Sequence, residues 1–378
     1  MKFIVFGEDW GRHPSSTQHL FKHIAEQHEV IWVNSVGMRK PTFTLKDFKR
    51  ITEKVFKGLF SKTKSQNASN DQQDLIVIEP KLFPWHDNAF IRKVNRWRFK
   101  KKLKAYLGNT LEPIIYWISV PTAEYLCELT SKDKLVYYIG DDFSGLAGVD
   151  FELVKPFENK LLNEADTIFV CSDTLYKKFN RYQPFLLSHG VDFDLFSEPS
   201  ASSVNLNKPI IGFYGSINEW FDLKLVEFIA QQRPDYHFQL IGTPHIDISV
   251  LENLDNVEHI GAVAHNKLPS YVQHWHIAIL PFIDCVQIQA CNPLKLREYM
   301  ASGTPIVTTR YPAAEHYKST IFIADSYQDF LDKLDNALYL KDVIEAWPAF
   351  QRSFVAQESW EHKASSALDE LRSVKRDE

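Results

Sequence analysis

Short runs of β-branched and aromatic residues alternate with helical patterns along this chain, and that alternation restricts it to parallel sheets wrapped by crossover helices. In the first half the strand candidates are Phe3–Phe6, Val30–Asn34, Leu75–Glu79, Ile114–Ser119, Leu135–Ile139 and Thr167–Cys171. The pattern then restarts with Ile210–Tyr214, His237–Gly242, Val257–Ile260, Ile277–Pro281, Pro305–Thr308 and Ile321–Ala324. Between the two series lies Ser197–Asn207, a polar, Ser-rich interval without periodicity that suits an interdomain linker. The expected fold class is therefore α/β, with two Rossmann-like domains facing a cleft, over residues 1–200 and 201–358. The polar stretch Ser61–Gln73 reads as a surface loop.

A length of 378 residues with 44% hydrophobic and 13% aromatic content is ample for two cores. Lys and Arg number 43 against 48 Asp and Glu, a net charge of −5, which argues against general nucleic-acid binding. Cys127, Cys171, Cys285 and Cys291 show neither C-x-x-C nor zinc-finger spacing, so a reduced cytosolic chain is expected. The amino terminus runs straight into a strand, and no apolar run reaches the roughly 18 to 20 residues needed to span a bilayer.

The segment Asn292-Pro293-Leu294-Lys295-Leu296-Arg297-Glu298-Tyr299-Met300-Ala301-Ser302-Gly303, followed by the strand Thr304–Thr309, carries the clearest chemical signal. Asn292 suits a helix N-cap and Pro293 the first helical position, which leaves the amides of Leu294 and Lys295 free to hold an anion such as a diphosphate. Glu298 comes about one turn later, where a carboxylate can accept from the vicinal hydroxyls of a ribose. Gly303 is placed to end the helix in a left-handed cap. A capped helix with a Gly stop is common in α/β proteins, so this reading depends on its setting.

That segment resembles the donor site of retaining glycosyltransferases of the two-Rossmann-domain (GT-B) type, closest to the bacterial polysaccharide-biosynthesis branch of glycosyl transferases group 1. Many of these enzymes carry two glutamates spaced E-x7-E, and Glu298 matches the second, on the ribose. Ala290 stands at the first position, so the resemblance leaves the donor sugar unspecified. The tail around Ser359–Ala364 is similar to the carboxy-terminal crossover of GT-B enzymes, which implies that residues 359–378 form a helix returning to the first domain. A further helix is expected from about Asp342.

Other segments take their meaning from this setting. Gly215 and Ser216 end a strand where backbone amides can approach a pyrophosphate, although the turn that follows carries no base. Phosphate charge then falls to helix amides and to Lys295 or Arg297. Ser188–Phe196 is similar to the N-G-V-D segment preceding the linker, a structural element in which His189 either packs or faces ligand. After the first strand, the loop Gly7–His19 ends in the capping-box spacing Ser15-x-x-Gln18, with Arg12 and the catalytic candidate His13 on the sheet edge where open α/β folds bind ligands. Capping alone also accounts for Ser15 and Ser16.

Asp141 and Asp142 follow a strand in the first domain. The resemblance implies that one of them orients the acceptor hydroxyl or contacts the donor sugar, and adjacent carboxylates raise each other's pKa when desolvated. A turn or cap role is the alternative. Asp141-Asp142 lacks the intervening residue of a metal-binding D-x-D and no H-E-x-x-H is present, so no metal or cofactor is expected and a UDP- or GDP-sugar enters as substrate.

Ile91–Lys104 holds eight bases and no acid: Arg92, Lys93, Arg96, Arg98, Lys100, Lys101, Lys102 and Lys104. With Ile91, Val94, Trp97 and Phe99 as an apolar stripe it reads as a basic amphipathic helix suited to an anionic membrane surface, or simply as a solvated face. Phe43–Phe60 is a second possible contact. The expected partners are a nucleotide-sugar donor and a saccharide or lipid-linked acceptor, and the expected location is the cytoplasm, with peripheral attachment to the inner face of the plasma membrane. The expected function is hexosyl transfer in surface polysaccharide synthesis. A GT-B-fold epimerase or phosphorylase and a non-catalytic sugar-nucleotide-binding subunit are the alternatives.

Overall fold

The computed structural model describes residues 1–12, 15–40, 75–108, 112–201, 208–338, 340 and 344–373. His13, the loop 61–73, the segment 43–60 and the helix start at Asp342 lie outside these residues. The described residues divide into two compact units, one drawn from the ranges 1–170, 179–185 and 364–373, the other from 171–178 and 186–363.

The first unit holds a seven-stranded sheet: β1 (Lys2–Phe6), β2 (Glu29–Val33), β3 (Leu75–Ile78), β4 (Ile114–Ile118), β5 (Lys134–Ile139), β6 (Thr167–Val170) and β7 (Phe185–Leu186). Its order is β3-β2-β1-β4-β5-β6-β7. β1 pairs in parallel with both β2 and β4, Phe3 facing Val30 on one side and Ile115 on the other. Phe3, Ile4, Val5 and Phe6 are all fully buried, as expected of a parallel strand covered on both faces. β7 escapes sequence reading because two exposed residues carry no periodicity.

The second unit repeats the plan with β8 (Ile210–Tyr214), β9 (His237–Ile241), β10 (Val257–Gly261), β11 (Ile277–Leu280), β12 (Ile306–Thr309) and β13 (Phe322–Ala324), in the order β10-β9-β8-β11-β12-β13. In each sheet the winding reverses next to the first strand. The crevice beyond the carboxyl ends of the strands at that point is where open α/β sheets bind ligands. Core packing in this unit centres on Trp275, whose indole lies so close over β8 that a Cβ at Gly212 would sit 1.9 Å from it. Its Nε1 donates to Gln239 Oε1 at 2.8 Å, so the buried N–H is satisfied.

The Ser-rich interval is not where the packing divides. The helix Phe193–Ser197 packs against the helix Leu294–Ser302 and buries Phe196 in the second core, so the second unit begins well before residue 201. Val191 donates its amide to the Glu358 carbonyl and Gly190 lies against Trp360, where a Cβ would come within 2.8 Å of the ring. The helix Trp360–Ser373 begins in the second unit, and its residues from Ala364 group with the first, where Lys134 Nζ donates to the Leu371 carbonyl.

Candidate functional site

In the second unit the helix starts at Leu294, and Pro293 rather than Asn292 occupies the cap position. Asn292 makes no cap hydrogen bond. Its Nδ2 donates to the Cys171 carbonyl at 2.8 Å and its Oδ1 accepts from Arg297 Nη1 at 2.5 Å, so the side chain fastens the chain ahead of the helix. The N-cap expectation fails because two buried polar partners outcompete the amides of the first turn for one short side chain. Pro293 has φ −62°, preset for a helix, and lacks an N–H of its own. The first-turn amides of Leu294 and Lys295 still point along the helix axis at its positive end, as every α-helix start requires.

Arg297 is also lost to any ligand. Its Nε donates to Glu358 Oε2 at 2.5 Å, and its guanidinium lies over the Tyr317 ring at 5.6 Å. Lys295, the other base read from this segment, makes different contacts. Its ammonium lies 5.3 Å from the centroid of Trp220 and 5.8 Å from that of Phe213, two cation–π contacts. Burial lowers the Lys295 pKa, opposed by the negative charge of Glu298 three residues on. An incoming diphosphate would offset that desolvation directly.

Gly215 makes room for this lysine. Its φ is +137°, a backbone shape that favours glycine, and a Cβ there would lie 2.0 Å from Lys295 Cε and push the lysine end aside. Gly242, at the end of β9, is equally constrained, since a Cβ would come 1.9 Å from the Gly215 carbonyl oxygen. Ser216 follows and is exposed. Gly303 ends the helix at φ +72°, ψ +22°, the left-handed cap read from sequence.

Glu298 is buried, and its carboxylate is held by two donors. Tyr214 OH donates to Oε2 at 2.5 Å, and His265 Nε2 lies 2.7 Å from Oε1. Neither partner was singled out in the sequence. Tyr214 hides as one aromatic in a buried strand, and His265 lies 33 residues upstream of Glu298 with no local motif. His189 is buried too. Its Nδ1 donates to the Asn292 carbonyl at 2.6 Å, and burial pushes its pKa down to about 3, so it stays neutral as a packing residue against Trp360.

In the first unit the two aspartates separate. Asp142 is buried, and its Oδ1 accepts from the Ser144 amide at 3.0 Å and the Ser144 hydroxyl at 2.5 Å, a side-chain turn. Asp141 is different: burial first, then the charges of Glu8 and Asp142, raise its pKa to about 7. Glu8 lies in the loop after β1 and accepts from Ser15 Oγ at 2.7 Å. Ser15 Oγ also accepts from the Gln18 amide at 3.3 Å, half of the capping box. Gln18 Oε1 accepts from the Gly11 amide at 2.9 Å and ties the loop to the helix. Arg12 is exposed beside Asp9, at 3.6 Å.

The basic segment forms a helix, Ala89–Leu107, capped by Asn88. Its buried residues are Asn95, Phe99 and Leu103, so of the apolar stripe read from sequence only Phe99 is buried in the core. A buried asparagine there is affordable since Asn95 bonds both polar groups of Phe83 and the Tyr125 hydroxyl. Trp97 is 64% and Phe90 74% exposed. Four of the eight bases are engaged: Arg92 with the His86 and Asp87 carbonyls, Arg96 with the Tyr125 carbonyl, Lys102 with the Glu79 carbonyl, and Lys100 with Glu128. Arg98 and Lys101 lie over the rings of Phe83 and Trp97, and Lys93 and Lys104 are exposed. No helix among the described residues is long and apolar enough to cross a membrane.

Known proteins resemble this chain in part of its sequence and in its fold. Residues 208–339 match the family described as glycosyl transferases group 1. The chain is 30% identical over 220 residues to a putative teichuronic acid biosynthesis glycosyltransferase, TuaH, of Bacillus subtilis (strain 168), a match spanning 52% of this chain and 55% of that protein. Among solved structures, sucrose-phosphate synthase from Thermosynechococcus elongatus superposes with a TM-score of 0.72 at 14% identity, covering 98% of each chain. Anabaena HepE in complex with UDP and glucose gives a TM-score of 0.66 at 11% identity, covering 99% of this chain and 100% of that one. The family match thus lies within the second unit, and the solved structures share the fold over nearly the whole chain.

Proposed function

We propose that this protein moves a hexosyl group from a UDP- or GDP-sugar to a saccharide or lipid-linked acceptor in surface polysaccharide synthesis, with retention of configuration. The observation that carries the reading is the helix Leu294–Ser302. Its open amino end, Lys295 and Glu298 lie within one turn of each other beside the strand-end Gly215. Helix amides and Lys295 take the diphosphate, Glu298 takes the ribose, and Asp141 serves the acceptor hydroxyl. No side chain is placed as a nucleophile in this reading. A front-face displacement fits it: the leaving diphosphate is stabilised by the amides and Lys295, and its oxygen accepts the acceptor's proton. The complexed UDP and glucose of HepE and the polysaccharide role in the name of TuaH support the assignment.

A thermal-shift panel of free nucleotides and nucleotide sugars checks the donor. A true ligand at 100 times its Kd should stabilise the fold by about 2.7 kcal/mol. Stabilisation by no UDP or GDP species would defeat the proposal. Nucleoside diphosphate release that requires an acceptor would separate transfer from epimerisation.

Membrane docking is the second part of the proposal, and the exposed face of Ala89–Leu107 with Trp97 and Phe90 supports it. Replacing the four outward bases Lys93, Arg98, Lys101 and Lys104 with Gln should remove roughly 1 kcal/mol per base. Sedimentation with phosphatidylglycerol vesicles should then fall by more than 100-fold, and in the wild type it should weaken as salt rises. Equal sedimentation of variant and wild type would rule the surface out.

A further inference from the structure

Glu298 is the group assigned to the ribose, yet both of its oxygens already accept from side chains. An ionised carboxylate offers about four lone-pair positions. Among the described residues the side-chain donors on it are Tyr214 OH, at 2.5 Å from Oε2, and His265 Nε2, at 2.7 Å from Oε1. One donor on each oxygen leaves one position on each oxygen, and a pair of adjacent acceptors matches a pair of adjacent hydroxyls.

The two donors are themselves held. The Tyr214 ring meets Tyr299 edge-on at 4.8 Å and stacks with Phe196 at 6.5 Å, and burial raises its pKa so that the hydroxyl keeps its proton. His265 sits edge-on to Phe196 at 5.4 Å, with Nδ1 facing Asp192 Oδ2 at 3.9 Å. A histidine nitrogen bonded to a carboxylate oxygen must carry hydrogen, so Nε2 is the donor whichever state Nδ1 adopts. Both contacts stop the carboxylate from rotating about its terminal bond, a torsion that is otherwise broad.

We propose that Tyr214 and His265 are positioning residues that turn Glu298 into a selector for a vicinal diol, so that the site discriminates ribonucleotides from 2′-deoxynucleotides. This rests on the assignment of Glu298 to the donor ribose. Without the two donors the carboxylate rotates, accepts from a single hydroxyl or from water, and the second hydroxyl loses its value.

The test is equilibrium binding by calorimetry of UDP and 2′-deoxy-UDP, with GDP and 2′-deoxy-GDP in parallel, to the full chain. The wild type should prefer the ribonucleotide by about 10-fold, the scale of one hydrogen bond to a charged group. His265→Ala and Tyr214→Phe should each reduce that preference below about 3-fold, and His265→Gln, which keeps an N–H donor, should restore most of it. Glu298→Ala should show no preference. If His265→Ala and Tyr214→Phe keep the full preference and Glu298→Ala loses it, the positioning role is wrong and the ribose assignment stands. If the wild type shows no preference, binds none of the four nucleotides, or retains its preference in Glu298→Ala, the ribose assignment itself falls and this inference with it.

Discussion

Glu298→Ala should bind the preferred nucleotide about 30- to 1,000-fold more weakly than wild type, a loss of roughly 2 to 4 kcal/mol for two hydrogen bonds to a charged acceptor. The same change leaves Tyr214 OH and His265 Nε2 without their acceptor in a buried setting, so the melting temperature should also fall. The two effects separate by experiment. Calorimetric titration is performed well below the melting transition, where a folded variant reports affinity alone. An unchanged Kd in the folded variant would remove Glu298 from the nucleotide site.

The second large effect is expected at Asp141. Asn replacement should lower turnover by about 100-fold with nucleotide affinity little altered, the scale of lost electrostatic help to the acceptor hydroxyl. The pH behaviour identifies the group. A carboxyl raised from 3.8 to about 7 is half ionised near neutrality, so wild-type kcat should climb as pH rises through 7 and the Asn variant should not follow. Stability moves the other way. Between pH 3.8 and 7 the folded state holds a proton that the unfolded chain has released, so folding stability falls as pH rises across that window. Asp141→Asn removes this penalty and should melt higher than wild type above pH 7. Asp142→Asn makes the contrast: its turn oxygen still accepts from Ser144, so turnover should change little. Full turnover in Asp141→Asn, or a pH profile shared with wild type, would return both residues to a turn role.

The basic helix Ala89–Leu107 shows what a helical pattern conveys and what it omits. Composition alone marks Ala89–Leu107 as a basic helix, but which bases are free depends on carbonyls that other elements bring to it. Arg96 reaches Tyr125 and Lys102 reaches Glu79, partners 29 and 23 residues away. A helix of mixed charge and aromatics has several candidate faces, and the one buried here contains an asparagine that only its bonds to Phe83 and Tyr125 make tolerable.

Local information was enough for every described strand except β7, the restart of the pattern at Ile210, the Gly303 cap and the helix that carries Lys295 and Glu298. Strand and helix periodicity and left-handed glycine caps depend on neighbours a few residues apart, so a sequence displays them directly. Tertiary structure alone decided that Asn292 and Arg297 fasten the helix instead of serving it, that Lys295 lies over Gly215 near two aromatic rings, and that Asp141 meets the charge of Glu8 while Asp142 closes a turn onto Ser144. It also brought Tyr214 and His265 onto Glu298. The physical reason is the same in each case: hydrogen bonding and desolvation act over a few ångströms, and in a parallel α/β sheet residues that close are tens of positions apart in the chain.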